Sequence, residues 1–256
     1  MLTEPLVQQL TQLRLHGMAQ ALEQQIGSPD RTQLSFEDRL GLMIQHEITE
    51  RASFRLAQRL RWARLPLPAC LEDLDTRTPR GLDRGELHRL TELSWIREHL
   101  NVLITGPCGV GKSFLACALG HAACRADFSV RCFRIPRLLE ELARYKAMQR
   151  RSALYRQLAK ADLLLIDDFG LSPLPDDAVR DLLEILDDRY DRRSTLVTSQ
   201  LPVDQWHAYL GDRTVADAIL DRLVHNSYRI VLKGDSMRKQ RGVALKAVAP
   251  SRSKDH

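Results

Sequence analysis

The chain has 256 residues, 44% of them hydrophobic, and a formal charge of +5, enough for a large domain with a smaller one attached, and a balance that permits a polyanionic partner without requiring one. No run of about 18 apolar residues occurs and residues 1–17 are too polar for a signal peptide, so a cytoplasmic protein is expected. Five cysteines, Cys70, Cys108, Cys117, Cys124 and Cys132, are an odd number without C-x-x-C spacing, which argues against a disulfide framework or a zinc site and for reduced, buried thiols.

Leu6, Leu10, Leu13, Met18, Leu22 and Ile26 recur at helical spacing, with Gly17 as the expected bend and residues 27–30 as the stop. Ser35 followed by Asp38 reads as an acidic variant of the capping box. It opens a long helix toward Ala63, with Phe36, Leu40, Met43, Ile44, Ile48, Leu56 and Leu60 on or near one face, and Leu65-Pro66-Leu67-Pro68 ends it. Between Arg51 and Arg64 there are five arginines and no acid. Arg51, Arg55 and Arg59 repeat every four positions, a stripe that could track a nucleic-acid backbone or be a solvated or docking face. Residues 69–98 read as a connector with a short strand or helix, and Trp95 within it reads as packing more readily than base-stacking.

Next comes an apolar run that stops at a glycine-rich turn and becomes helical. Gly106-Pro107-Cys108-Gly109-Val110-Gly111-Lys112-Ser113 fills the spacing of a phosphate-binding loop, in which glycines let successive N–H groups face an anion. Val102–Thr105 is the expected strand before it. The helix from Phe114 would point its free amides at the phosphates. Lys112 supplies a point charge and Ser113 a hydroxyl for Mg²⁺. Only seven of 38 basic residues are lysines, so a lysine at this position stands out.

A second strand is expected over Phe128–Phe133, then helices over Arg137–Met148 and Ser152–Lys160. Leu163-Leu164-Leu165-Ile166-Asp167-Asp168 is an apolar strand delivering two acids, the expected partner of the loop. Asp167 would hold the metal and Asp168 would orient or deprotonate an attacking water. A helix follows over Asp176–Tyr190, then a strand over Thr195–Gln200 whose polar end could sense the γ-phosphate, Gln200 first. A last helix, Thr214–His225 with Thr214 at its cap, precedes a strand at Tyr228–Leu232. Strands alternating with helices around one site predict a three-layer α/β/α parallel sheet.

GPCGVGKS, LLLIDDFGL, LDDRYDRRSTLVTSQLP, ADAILDRLVHNSYRI and GDSMRK, preceded by RLRWARLP, together resemble the IstB-like ATP-binding proteins. These are helper ATPases of insertion sequences, of the AAA+ class and similar to replicative helicase loaders. The resemblance spans about Leu6 to Lys239. It implies an ATP- and Mg²⁺-dependent homo-oligomer that remodels duplex DNA with little sequence preference and delivers it to the transposase of the same element. It also implies shared ATP sites, with Arg222 in LDRL completing a neighbour's site; the alternative for Arg222 is an intramolecular ion pair, with Asp217 or Asp221 as candidates. The cofactor set is then Gly106 through Ser113 and Phe114, with Ser113 and Asp167 on the metal and Lys112, Asp168, Gln200 and Arg222 catalytic. Domains are expected at 1–68 (helical, binding DNA or a partner), 69–98 (connector), 99–245 (ATPase) and 246–256 (flexible tail).

Two departures from the class stand out. Asp168 replaces a common glutamate and is one methylene shorter, so slow hydrolysis is expected. Too little chain follows Leu232 for a helical lid, so any second sensor must come from residues 235–239, with Arg238 the candidate. A helicase loader, a P-loop small-molecule kinase and a non-enzymatic DNA architectural module locked by ATP are the competing readings.

Overall fold

The computed structural model describes residues 3–27, 34–76 and 80–237. The chain divides into two units, Met1–Arg61 and Trp62–His256.

The first unit is helical: α1 (Thr3–Gln12), α2 (His16–Gly27) and most of α3 (Phe36–Ala63). The capping box forms as the sequence predicts, with the Asp38 N–H donating to Ser35 Oγ at 3.1 Å and Ser35 Oγ donating to Asp38 at 2.7 Å. The break between α1 and α2 falls earlier than expected, at Arg14 with φ 60°, and not at Gly17. Gly17 has a different task. It is buried against α3, where a Cβ would lie 2.7 Å from the Glu47 Cα, so only glycine permits this approach. Phe36, Ile44 and Ile48 on α3 stay exposed, and the apolar positions on this helix therefore do not make a buried seam.

Glu47 ties the unit together. Its carboxylate accepts from the Met18 N–H at 3.1 Å and from Arg51 Nε at 2.6 Å. Burial raises its pKa, but the Arg51 hydrogen bond and the backbone donors at Met18 and Gly17 outweigh that effect and hold the carboxyl below its ordinary 4.5.

In the second unit five segments form one parallel sheet: β1 (Asn101–Thr105), β2 (Val130–Arg134), β3 (Leu163–Phe169), β4 (Ser194–Ser199) and β5 (Ser227–Val231), in the order β2-β3-β4-β1-β5. Every residue of β1 and β4 is buried, the pattern of a sheet covered on both faces. Helices α6 (Lys112–Arg125), α7 (Ile135–Ala147), α8 (Arg151–Lys160), α9 (Asp176–Arg189) and α11 (Arg213–Val224) supply the crossovers. Leu103, Leu164, Ile166 and Val197 pack one face of the sheet into a core with α7, α8, α9 and α11. Helix α6 meets Leu165 through Gly120, where a Cβ would lie 3.2 Å from the leucine side chain. The three-layer α/β/α architecture expected from the alternation is the one observed.

Some local details agree with expectation and others differ. The connector contains a 3-10 turn at Leu71–Asp73 and two short helices, α4 (Arg84–Thr91) and α5 (Ser94–Arg97). Trp95 is fully buried and donates to the Leu90 carbonyl at 3.0 Å, a packing role. The cap of α11 is Asp212, which accepts from the Val215 N–H at 3.1 Å, so Thr214 lies inside the first turn. A further helix, α10 (Trp206–Leu210), follows β4; its Trp206 packs 4.7 Å from the Phe169 ring centroid. Cys117, Cys124 and Cys132 are buried thiols, but Cys108 is exposed. Burial pushes the Cys117 thiol up to about 11, which keeps it protonated and unreactive at neutral pH. No helix among the described residues is long and apolar enough to cross a membrane.

The Glu47 contacts predict a pH response. A depressed carboxylate stabilises the fold above its ordinary value of 4.5 and loses that contribution as pH falls through the lower folded value. The protection of the Met18 amide, the factor by which its exchange is slower than in a free chain at the same pH, should fall on acidification. Glu47→Gln should cost about 1 kcal/mol at neutral pH and remove this acid dependence; an unchanged acid response in the variant would show that another group is responsible.

Candidate nucleotide-binding site

The turn between β1 and α6 places Gly106, Gly109 and Gly111 at φ 146°, 83° and 106°, conformations that side chains resist. The outer wall of this loop is the segment after β5. Met237 N–H donates to the Gly109 carbonyl at 3.0 Å, and Leu232 N–H donates to Thr105 O at 2.8 Å. Lys112, buried at the start of α6, donates from Nζ to the carbonyls of Gly106 at 2.7 Å and Pro107 at 2.8 Å. Val110 is buried within the loop and Pro107 and Cys108 are exposed.

Below the loop lies an oxygen cluster. Ser113 Oγ donates to Asp167 Oδ1 at 2.8 Å, and Thr198 Oγ1 donates to the same oxygen. Asp167 is 5% exposed. A buried carboxylate beside a hydroxyl at the foot of a phosphate loop is a hard-oxygen donor set, which fits Mg²⁺ bound partly through water and phosphate. Ser113 and Asp167 are the residues that would hold it.

The register of β3 against β4 shifts between Ile166 and Phe169. This bulge re-aims the strand end, and Asp168 within it takes φ 61°. The Asp168 carboxylate accepts from Arg134 Nε at 2.8 Å and from its terminal nitrogen as well. Arg134 is the last residue of β2, which pairs directly with Asp167. The proposed water-orienting acid is thus held by a cation from the neighbouring strand.

A cavity of about 340 Å³ joins these parts, lined by Cys108, Gly109, Gly111, Lys112, Ser113, Phe114, Asp168 and Gln200, with Leu67, Pro68, Asp73, Asp75, Arg80 and Met237 completing it. Glycine-loop amides and Lys112 face one part, while Leu67, Pro68, Phe114 and Met237 give the apolar surface that a base and ribose need. The donor set and shape fit ATP. Arg222 does not line this cavity. It pairs with Asp187 on α9, donates to the Ala218 carbonyl at 2.9 Å and lies 6.0 Å from the Tyr190 ring. The ion pair is intramolecular, but its partner is neither Asp217 nor Asp221; those acids sit beside His207 and His225.

Arg51, Arg55 and Arg59 lie along α3 in the first unit. Arg51 is engaged by Glu47 and by the Arg14 carbonyl at 3.3 Å, whereas Arg55 is exposed. Arg238 lies outside the described residues, as does the 246–256 tail. Three residues at the site have no clear mark in the sequence: Thr198, Arg134 and Arg80. Thr198 stands in the same strand as the residues leading to Gln200, and its position two residues before that polar end is the only signal. Arg134 and Arg80 are single arginines in an arginine-rich chain.

The Arg134 ion pair gives a direct prediction. Arg134→Ala should change the phosphate-release rate several-fold while leaving ATP affinity within about twofold, because it touches Asp168 and not the phosphate loop. Equal losses in affinity and turnover would place Arg134 in binding instead.

A family model described as IstB-like ATP binding protein matches residues 8–244. An insertion-sequence ATP-binding protein of Sinorhizobium fredii, y4pL, is 50% identical over 239 residues, 93% of this chain and 98% of that protein. The ATP-binding protein of insertion sequence IS21 from Pseudomonas aeruginosa is 31% identical, with 94% and 92% covered. Among solved structures, DnaI aligns with a TM-score of 0.54 at 22% identity, covering 65% of this chain and 92% of that one. AMPPCP-bound DnaA from Aquifex aeolicus gives 0.55 at 17% identity, covering 75% and 58%. At such identities these structures support the fold alone, a parallel α/β sheet covered by helices. With the family model spanning nearly the whole chain and its loop, acids and strand order all in place, the chain belongs to the IstB-like ATP-binding protein family.

Proposed function

We propose that this protein is an ATP-dependent helper of insertion-sequence transposition, which binds and slowly hydrolyses ATP with Mg²⁺, assembles as a homo-oligomer on duplex DNA and presents that DNA to the transposase of its element. The observation that best supports it is the division of the site. The loop, Ser113, Asp168 and Gln200 line one cavity and Asp167 is joined to it through Ser113, while Arg222 stands elsewhere on the same subunit. An arginine so placed can serve a neighbour's site rather than its own, and in this reading ATP occupancy is a signal for assembly.

In this reading the loop amides and Lys112 hold the phosphates, and Mg²⁺, when bound, would neutralise phosphate charge. Ser113 and Asp167 position the metal. Gln200, in the same cavity, is placed for a γ-phosphate contact. Asp168 orients the attacking water, and its Arg134 pair and short side chain both limit its reach to that water, consistent with slow turnover. The inter-subunit role requires Arg222 to leave Asp187, an exposed pair whose rupture costs on the order of 1 kcal/mol or less.

Electron microscopy with a slowly hydrolysed ATP analogue, with and without duplex DNA, tests the assembly. Rings or spirals that require nucleotide are expected; a persistent monomer would return the small-molecule kinase reading. Arg222→Ala should lower turnover by at least tenfold at concentrations where the wild type assembles, with ATP binding to the monomer retained. Turnover untouched at high concentration would defeat the shared-site model.

Removing the arginine stripe tests DNA binding. Replacing Arg55 and Arg59 by alanine should weaken duplex binding and flatten the salt dependence by roughly 0.9 for each phosphate no longer neutralised. Arg51→Ala should contribute less than Arg55→Ala, since Glu47 already engages Arg51. Unchanged affinity and slope would leave the stripe as a solvated face.

A further inference from the structure

The nucleotide cavity contains a second cation that the family's loop motif does not include. Arg80, from the connector, is 7% exposed and lines the same cavity as Lys112 and Ser113. Its guanidinium rests on the phosphate loop, so close that a Cβ on Gly111 would lie 2.7 Å from Nη1. Nη2 donates to the Asp75 carbonyl at 2.6 Å, whereas Nε is buried with no acceptor. A buried guanidinium N–H without a partner is costly, and the residue is held there by its backbone. Lys233 N–H donates to the Arg80 carbonyl at 2.8 Å. The adjoining Gly81, at φ 77°, lies so near Val231 that a Cβ would be 2.7 Å from its carbonyl oxygen. The same post-β5 segment walls the phosphate loop, so connector and loop share one brace.

We propose that Arg80 is a phosphate-binding residue of the nucleotide site, taking oxygens of the α- and β-phosphates through the guanidinium that rests on the loop at Gly111, while Lys112 serves the β- and γ-phosphates. The proposal rests on the reading of this cavity as an ATP site. It follows from the location: the loop amides near Gly111 face the α/β end of a nucleotide, and a planar guanidinium offers two parallel donors to phosphate oxygens.

The test is calorimetric binding of ATP and of ADP, across a range of salt concentrations, to the wild type, Arg80→Met and Arg80→Lys. Arg80→Met should weaken ATP and ADP by the same factor, about tenfold, and make both affinities less salt-dependent. Arg80→Lys keeps the charge without the planar fork and should fall between, with ATP and ADP again affected equally. Wild-type affinity in Arg80→Met, a loss confined to ATP, or a loss with unchanged salt dependence would each overturn the assignment. If Arg80→Met does not fold, Arg80→Lys decides: wild-type affinity for both nucleotides there would overturn it. A wild type that binds neither nucleotide would overturn the ATP-site reading itself, a result distinct from failure of Arg80 alone.

Discussion

The buried Asp167 carboxylate is the constraint on which the site depends. It receives Ser113 from the start of α6 and Thr198 from β4 on one oxygen. Three elements from distant parts of the chain thereby converge on a single acid. A carboxylate removed from water is tolerated only where donors or a cation compensate it. Here two hydroxyl donors provide that compensation. The parallel sheet makes this possible, because β1, β3 and β4 all end at the same edge and deliver the loop, the acids and the polar strand end together.

Two arginine–aspartate pairs flank this centre and differ in meaning. Arg134 holds Asp168 at the cavity, where the bulge in β3 has turned the acid out of the strand's alternation. Arg222 holds Asp187 away from it. Each removes a charged group from immediate catalytic use. Under the proposed shared-site reading, an assembly that rearranged either pair would couple hydrolysis to contact between subunits. Arg80 adds a third guanidinium, packed on the loop itself.

The loop, both acids and the alternation of strands and helices are legible in the sequence because each is a local pattern. Glycine spacing, an apolar run ending in acids and a capping box need no knowledge of distant partners. The remainder depends on tertiary neighbours. Gly17 reads as a bend, yet its conformation is ordinary and its smallness serves the backbone of α3. Thr214 reads as a cap, but Asp212 reaches the free amide first. Arg134, Thr198 and Arg80 come from segments whose convergence is set by sheet order and by the brace after β5. Arg222 is marked by resemblance, while its partner 35 positions earlier is not. Spacing within a motif reads from sequence; pairing between motifs does not.

The proposed role of Asp167 in holding Mg²⁺ at the phosphate loop is tested most directly by calorimetric titration of ATP with and without Mg²⁺. The wild type should bind ATP more tightly with Mg²⁺, and Asp167→Asn, which keeps shape and hydrogen bonding but removes the charge, should bind without that gain. An Asp167→Asn protein that retained the full Mg²⁺-linked increase would contradict the account.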